Sequence, residues 1–349
     1  MANPKVAVVI IHWNRQSLLE QFLPSVLAST YTNLKVYVVD NNSTDNSIEW
    51  LTQHFPNVGI IQLDDNFGYA GGYNRALKQI DADYYVLLNN DIEVPSHWIE
   101  PVIDYMQKYT DVAAAQPKMI DYLHRNKFEY AGACGGYIDF LGYPFCRGRI
   151  LNTIETDVGQ YNNTQNVFWA TGACLFIRAE AFHEAQGFDE YFFAHMEEID
   201  LCWRLQLLGH RIVVVPASEV YHVGGGTLNK MSAQKTFLNF RNNLIMLTKN
   251  LPFSTLLWLI PLRSILDLLT SIQFLFSGKP QFSGAVHRAH AAYFFRWRFW
   301  WKQRKHNNQK KYWTQLAGVY NKSLIWQFFA RGKHQYSDLP GLKAGDIWK

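Results

Sequence analysis

Three carboxylates crowd into four residues at Glu197-Glu198-Ile199-Asp200, and Arg204 follows one helical turn later. At helical spacing Glu197, Asp200 and Arg204 share a face, while Glu198 points about a quarter-turn away. Acids in the first turn of a helix are favoured by its macrodipole, so an ordinary charged helix start is one reading. The surroundings argue for chemistry. Phe192, Phe193 and Trp203 flank Glu198, and an acidic strand-end motif lies upstream.

That motif is Asn89-Asn90-Asp91, which closes the apolar run Tyr84–Leu88. A carboxylate exposed there can hold Mg²⁺ or Mn²⁺, ions that take oxygen ligands and bridge to phosphates. The alternative is a simple turn, since Asn and Asp favour turns. His222 follows another apolar run and precedes Gly224, Gly225 and Gly226. It could complete a metal shell, Mn²⁺ accepting imidazole more readily than Mg²⁺ does, or be structural. Asp40 opens Asp40-Asn41-Asn42-Ser43 and can accept hydrogen bonds from a base or ribose, or merely start the turn. Between Asn66 and Asn74, Gly68, Gly71 and Gly72 open a helix, where backbone amides can approach a phosphate or sugar. The pattern is not GxGxxG and follows the third strand, which argues against a dinucleotide-binding dehydrogenase.

Strands are predicted at Val6–Ile11, Leu34–Val39, Val58–Leu63, Tyr84–Leu88 and Val112–Gln116, with helical patterns between them. This alternation predicts an α/β fold, a mostly parallel sheet flanked by helices. Ligands of such sheets sit beyond the carboxyl ends of the strands, where Asp40 and Asp91 fall. From Met119 to Asn166 the pattern loosens into loops and short strands. Val167–Arg178 then reads as one strand and Arg211–Val215 as another. Trp169, Thr171 and Gly172 lie on the strand before the acidic helix, and Trp169 reads either as a stacking surface or as a core residue.

At 349 residues with 48% hydrophobic content, the chain is long enough for one large domain or two. Residues 1–225 hold 14 Lys/Arg against 26 Asp/Glu, whereas residues 226–349 hold 19 against 3. We therefore expect two parts, 1–225 and a basic, aromatic helical region 226–349 that meets something anionic. A nucleic-acid recognition motif is lacking, which favours a membrane surface. Leu251–Phe276 is apolar, but Pro252, Pro261, Arg263 and Asp267 divide it into pieces shorter than the roughly 20 residues of a spanning helix. A re-entrant or surface-lying helix pair is predicted. Tyr293–Lys305 interleaves aromatics with cations, as at headgroup depth. Four cysteines without CxxC spacing suit a reducing compartment. With no signal-peptide pattern before the first strand, the expected location is cytoplasmic, peripheral at the inner face of the membrane.

Taken in order, these motifs resemble those of the family 2 glycosyltransferases, inverting enzymes of the Rossmann-like GT-A fold. The similarity is greatest to the branch with bacterial rhamnosyl- and galactofuranosyltransferases. The matching pieces are Val8–Ile11 with Trp13-Asn14-Arg15, Val38–Asp45, Asn66–Asn74, Leu87–Asp91, Gly187–Glu190, Glu197–Arg204 and Tyr221-His222. The resemblance spans about residues 5–225. It implies a donor site built from Asn14, Asp40, Asn66, Gly68, Gly71, Asn74, Asn89 and Asn90, with Asp40 at the nucleotide base. Asp91, the last residue of the family's DxD element, and His222 would hold a divalent cation, Mg²⁺ or Mn²⁺; Asn89 replaces the first Asp. Glu198 would be the catalytic base; it must be ionised to act, so a strongly raised proton affinity would count against the role, while Glu197, Trp169, Thr171 and Gly172 meet the acceptor. The implied reaction moves a rhamnose- or galactofuranose-like sugar from a nucleotide-diphosphate donor to a hydroxyl of a lipid-linked, polyprenyl diphosphate glycan in surface polysaccharide synthesis. Two other readings remain at this level. A nucleotidyltransferase would need a basic glycine loop after the first strand, which His12-Trp13-Asn14 does not supply. A non-catalytic glycan- or lipid-binding module could keep the same fold.

Overall fold

Val6, Val8 and Ile10 are buried against one face of a central sheet and Ala7 and Val9 against the other. Their strand shows no polar alternation because both faces are covered. The computed structural model describes residues 3–224, 232–304 and 313–342. Its first part alternates β1 (Val6–His12), α1 (Gln16–Leu27), β2 (Leu34–Asp40), α2 (Ser47–His54), β3 (Gly59–Gln62), α3 (Gly68–Leu77), β4 (Tyr84–Asn89), β5 (Ile92–Glu93), α4 (Glu100–Lys108) and β6 (Val112–Asp121). Four short strands follow, β7 (Gly136–Asp139), β8 (Pro144–Cys146), β9 (Arg149–Ile150) and β10 (Thr153–Ile154). Then come β11 (Gln165–Asn166), β12 (Cys174–Arg178), α5 (Ala179–Glu184), α6 (Glu197–Leu208) and β13 (Arg211–His222). The last part holds α7 (Ala233–Asn250), α8 (Phe253–Phe276), α9 (Pro280–Phe295), α10 (Trp297–Gln303), β14 (Val319–Tyr320) and α11 (Leu324–Phe329).

The main sheet runs β11-β13-β6-β12-β4-β1-β2-β3, with β5 paired to β13. Its half β3-β2-β1-β4 is parallel, as the alternation predicts. The other half is mixed, because β12 enters antiparallel between β4 and β6. Helices α1, α2 and α4 cover one face; α3, α5 and α6 cover the other. Register aligns the strand ends: His12 pairs with Asp40, Ile11 with Asn89, and His222 with Ile92.

Several elements differ from expectation. Only Cys174–Arg178 of the predicted strand Val167–Arg178 joins the sheet as β12. The preceding residues turn instead to deliver backbone bonds, Ala173 O to Asn89 N and the Thr171 amide to Gln116 Oε1. Strand β13 continues past Val215 to His222 through a register shift between Val215 and Glu219, so Pro216 bends the strand without ending it. The loosened stretch after Met119 supplies β7–β10, which with β14 make a second sheet of order β10-β9-β8-β7-β14. The division expected near residue 225 therefore separates the chain by charge but not by core. Trp313, Tyr320, Leu324 and Tyr336 share one hydrophobic cluster with Tyr137, Phe168 and Trp203. Gly225, Gly226, Thr227 and Lys305 lie outside the described residues.

Helix α8 is the largest correction. Pro261 lies within one continuous helix of 24 residues, long and apolar enough to cross a membrane by length and composition. Its inward stripe is Leu256, Leu259, Arg263, Asp267 and Ser271, at spacings of three and four. Arg263 donates to Leu141 O at 2.9 Å, Asp267 meets His290 at 3.0 Å and Ser271 meets Ser283 at 2.7 Å. Leu257, Ile265, Leu268, Leu269, Leu275 and Phe276 face outward and exposed. The polarity is inverted relative to a soluble helix, polar side in and apolar side out.

Candidate active site

At the carboxyl edge of the sheet, β4 ends on Asn89 and the chain turns through Asn90 and Asp91 into β5, which pairs with the last residues of β13. His222 is thereby brought against Asp91, its Nε2 3.1 Å from Oδ1, with the Asn89 side-chain amide at 3.5 Å. On its other side, His222 Nδ1 lies 3.3 Å from Glu129 Oε1. Glu129 is itself held, Oε2 accepting the amides of Ala131 at 2.7 Å and Gly132 at 3.0 Å. Burial works against a charge on the imidazole, but Asp91 and then Glu129 outweigh it, pushing His222 up to about 10. Holding an ion at Nε2 requires that proton to leave.

The donor chemistry fits a divalent cation. Among the described residues no three His, Cys, Asp or Glu side chains form a complete cage. Asp91 and His222 could supply one oxygen and one nitrogen ligand, which would suit an ion that completes its shell with phosphate oxygens and water. A carboxylate behind a ligating histidine fixes its ring and tautomer. Glu129 occupies that place and was missed from the sequence, where it sits in an aperiodic stretch without local signal.

Beside this pair, the loops after β1 and β2 are cross-braced. Asn14 Oδ1 accepts the Thr44 amide at 2.8 Å, Asn14 N donates to Ser43 Oγ at 2.8 Å, and Asp40 Oδ1 accepts the Ser43 amide at 2.9 Å. Asn90 and His12 side chains meet at 3.0 Å. Asn41, also missed, donates to Asn66 Oδ1 and Gly68 O, both at 3.0 Å, and ties the β2 loop to the start of α3.

The glycines at α3 do other work than expected. The Gly68 amide is taken by Asn66 Oδ1 and the Ala70 amide by Phe193 O, so these two do not await a phosphate. Gly68 has φ +67°, and a Cβ there would stand 2.5 Å from Phe193 O; Gly71 packs against Phe67. Asn74 is a staple, donating to Phe188 O at 2.8 Å and accepting from Phe188 N at 2.9 Å. A cavity of about 760 Å³ adjoins it, lined by Lys78, His183 and Glu190 among others, but Asp40, Asp91, Glu198 and His222 do not line it.

Helix α6 begins after a segment in which Phe193, His195 and Met196 all have positive φ. Asn242 of α7 holds that segment, donating to Phe192 O, Ala194 O and His195 O at 2.9, 2.9 and 2.8 Å. Asp200 turns inward as its shared face with Arg204 predicts, paired to Arg204 at 2.8 Å, Lys249 at 3.4 Å and Asn250 at 2.7 Å. Burial opposes its charge, yet Lys249 and Arg204 prevail and hold the carboxyl below its usual range. Asn242, Lys249 and Asn250 belong to the basic tail, whose charge pattern pointed outward.

Glu197 is buried and Glu198 partly so, and Oε2 of each lacks a hydrogen-bond partner. Burial pushes Glu198 up to about 7, against the backbone amides of residues 196, 198 and 199. Glu197 is raised well above its ordinary value, by burial first and the charge of Glu198 second. Of the pair, Glu198 is the less strongly shifted and the less buried, while Glu197 is enclosed. Trp169 and Thr171 are corrected likewise: both are buried, and the Trp169 indole donates to Tyr137 O at 2.9 Å in the core. Gly172 does adjoin Glu198. A Cβ there would lie 3.6 Å from that of Glu198 and 2.9 Å from the Tyr69 hydroxyl, which donates to Gly172 O at 2.6 Å. Since Ala173 is bonded to Asn89, this turn bridges the acid helix to the Asp91 edge.

A half-parallel, half-mixed sheet with helices on both faces and a strand-end acid defines the GT-A class of glycosyltransferase fold. A solved structure, GalNAc-T7 with UDP, GalNAc and Mn²⁺, superposes with a TM-score of 0.57 at 14% identity, over 70% of this chain and 48% of that one. The chain belongs to glycosyl transferase family 2, whose family model matches residues 7–185. It is 31% identical over 224 residues to the O-antigen biosynthesis protein RfbC of Myxococcus xanthus, covering 63% of this chain but only 17% of that protein. It is 28% identical over 229 residues to the N-acetylglucosaminyl-diphospho-decaprenol L-rhamnosyltransferase of Mycobacterium tuberculosis, covering 62% and 75%. Against the rhamnosyltransferase WbbL of Escherichia coli the identity is 26% over 233 residues, covering 62% and 83%. The chain is a glycosyltransferase.

Proposed function

We propose that this glycosyltransferase inverts the configuration of a rhamnose-like sugar as it moves it from a nucleoside diphosphate to a lipid-linked glycan. The observation that carries the reading is Glu198, a partly buried carboxyl with one unpartnered oxygen, set against the Gly172–Ala173 turn that is bonded to Asn89 beside Asp91; its rise to about 7 leaves it ionised only towards and above neutral pH. A general base works best when its pKa lies near the operating pH. Ionised Glu198 takes the proton of an acceptor hydroxyl as that oxygen attacks the anomeric carbon opposite the departing diphosphate. One displacement inverts the centre through an oxocarbenium-like transition state. Glu197, kept neutral, leaves a single negative charge at the pair. Asp40 and Asn14 receive the nucleoside, with Asn89 and Asn90 at the sugar-facing edge. Asp91 and His222, the latter oriented by Glu129, would hold a divalent ion, which when bound would supply positive charge to the departing diphosphate. The relatives named for decaprenol- and O-antigen-linked reactions support a lipid-linked acceptor.

The same reading places the enzyme at the inner face of the cell membrane, lying on it. Helix α8 turns its apolar side outward while Arg263 and Asp267 are engaged by the protein. Exposed Phe295, Trp297 and Trp301 extend the apolar surface, with Lys279, Arg288, Arg298 and Lys302 exposed nearby in sequence. Apolar burial plus attraction to anionic lipid is what holds an in-plane helix. The test is release of free nucleoside diphosphate from a panel of nucleotide sugars, with Mn²⁺ and a polyprenyl-diphosphate glycan in vesicles. Release confined to one donor and dependent on the acceptor is expected; no release with any donor overturns the reading.

A further inference from the structure

Arg149 is a buried cation that the proposed reaction leaves unused. It lies on β9 opposite Cys146 of β8 and keeps 7% of its surface. Nη2 donates to the Cys146 sulfur at 3.2 Å, Nη1 reaches Leu151 O at 3.4 Å, and Nε has no partner. Sulfur is a weak acceptor and 3.4 Å is a long bond. Arg149 takes part in none of the ion pairs among the described residues. Arg147, two residues earlier and also buried, has its guanidinium met by the Asn163 carbonyl and side-chain oxygens. A buried guanidinium is costly unless its donors are satisfied, so the contrast calls for an acceptor at Arg149.

The surroundings indicate which. The β8–β9 turn is bonded to the segment that carries Glu129: Cys134 N donates to Arg147 O at 2.9 Å and Arg147 N to Gly135 O at 3.0 Å. Gly148 fits only without a side chain, since a Cβ would meet the Phe128 ring at 2.6 Å. Arg149 thus stands beside the residue that braces His222. The charge of Glu129 bears on Arg149 itself, and those of Glu129 and Glu198 bear on the neighbouring Cys146 thiol. Above it, the guanidinium lies 4.7 Å from the ring of Tyr130, a residue about half exposed. The ring can steady the cation without consuming its donors.

We propose that Arg149, covered by Tyr130, is an anion-recognition site that takes a diphosphate oxygen. Its planar fork suits such an oxygen better than a lysine would. The proposal rests on the reading of a diphosphate substrate, and two sources offer the same chemistry: the departing nucleoside diphosphate and the prenyl diphosphate of the acceptor. Wild type, Arg149→Gln and Arg149→Lys are titrated calorimetrically with pyrophosphate, UDP and geranyl diphosphate, each in Mn²⁺ and in EDTA. Arg149→Gln should bind at least one diphosphate on the order of 10-fold more weakly in both media, with Arg149→Lys intermediate. A loss confined to UDP assigns the donor, and one confined to geranyl diphosphate assigns the acceptor. Equal affinities in a folded Arg149→Gln overturn the proposal. Should that variant not fold, the wild type decides: pyrophosphate in EDTA should raise its Tm, and a rise only with Mn²⁺ removes Arg149 from the role. Wild type that binds no diphosphate even with Mn²⁺ sinks the functional reading itself and this site with it.

Discussion

Replacing Glu198 by Gln should stop the enzyme and stabilise it. The carboxyl sits near 7 in the fold against an ordinary 4.5. At about 1.4 kcal/mol per pKa unit, ionising it in place costs about 3 kcal/mol more than in the unfolded chain. Because the folded value is the higher, Glu198 favours folding fully below 4.5 and loses that contribution as pH rises through 7. Gln keeps the shape and never ionises. Relative to wild type, Glu198→Gln should therefore gain up to about 3 kcal/mol between pH 4.5 and pH 8.5. Urea unfolding of both proteins at the two pH values, followed by tryptophan fluorescence, measures the difference, in which titrating groups other than the neighbouring Glu197 cancel. Turnover should fall on the order of 10²- to 10⁴-fold. Wild-type kcat/KM should rise with pH to a plateau with its midpoint near 7, where Glu198 becomes ionised. A stability difference that is flat with pH, or a variant that still turns over, refutes the assignment.

Asp91→Ala and His222→Ala should each weaken Mn²⁺-dependent UDP binding on the order of 10- to 100-fold by calorimetry; unchanged binding in both removes the metal proposal. Because α8 and α10 share the main core, surface changes test the membrane better than deletion. Ile265→Glu with Leu269→Glu, both exposed, should abolish flotation with anionic vesicles while leaving Tm unchanged; persistent flotation counts against the platform. Asn242→Ala strands three carbonyls beside the positive-φ segment and should cost roughly 2–3 kcal/mol in urea unfolding. It should also lower kcat more than it weakens donor binding, and normal stability with normal kcat contradicts the positioning role.

Much of the site was legible where short-range pattern carries the information. Strand–helix alternation located the ends of β2 and β4, so Asp40 and Asp91 could be placed at one edge from periodicity alone. The Asp200–Arg204 pair followed from helical spacing. Trp169 stood open between stacking and core packing, because composition alone does not separate the two, and the structure puts it in the core. Its burial depends on Tyr137, far off in the chain.

Local sequence, then, specified the elements, the working edge of the sheet and the acids of α6, because each is written in residues within a turn or a strand of one another. Folding alone could set Glu129 behind His222, Asn242 under the start of α6, β14 beside β7 and the polar stripe of α8 against the protein. Each of these joins groups distant in the chain, with no periodicity linking them. The proton affinity of Glu198 belongs with them, since it arises from the burial of a side chain that sequence can place on a helix but cannot enclose.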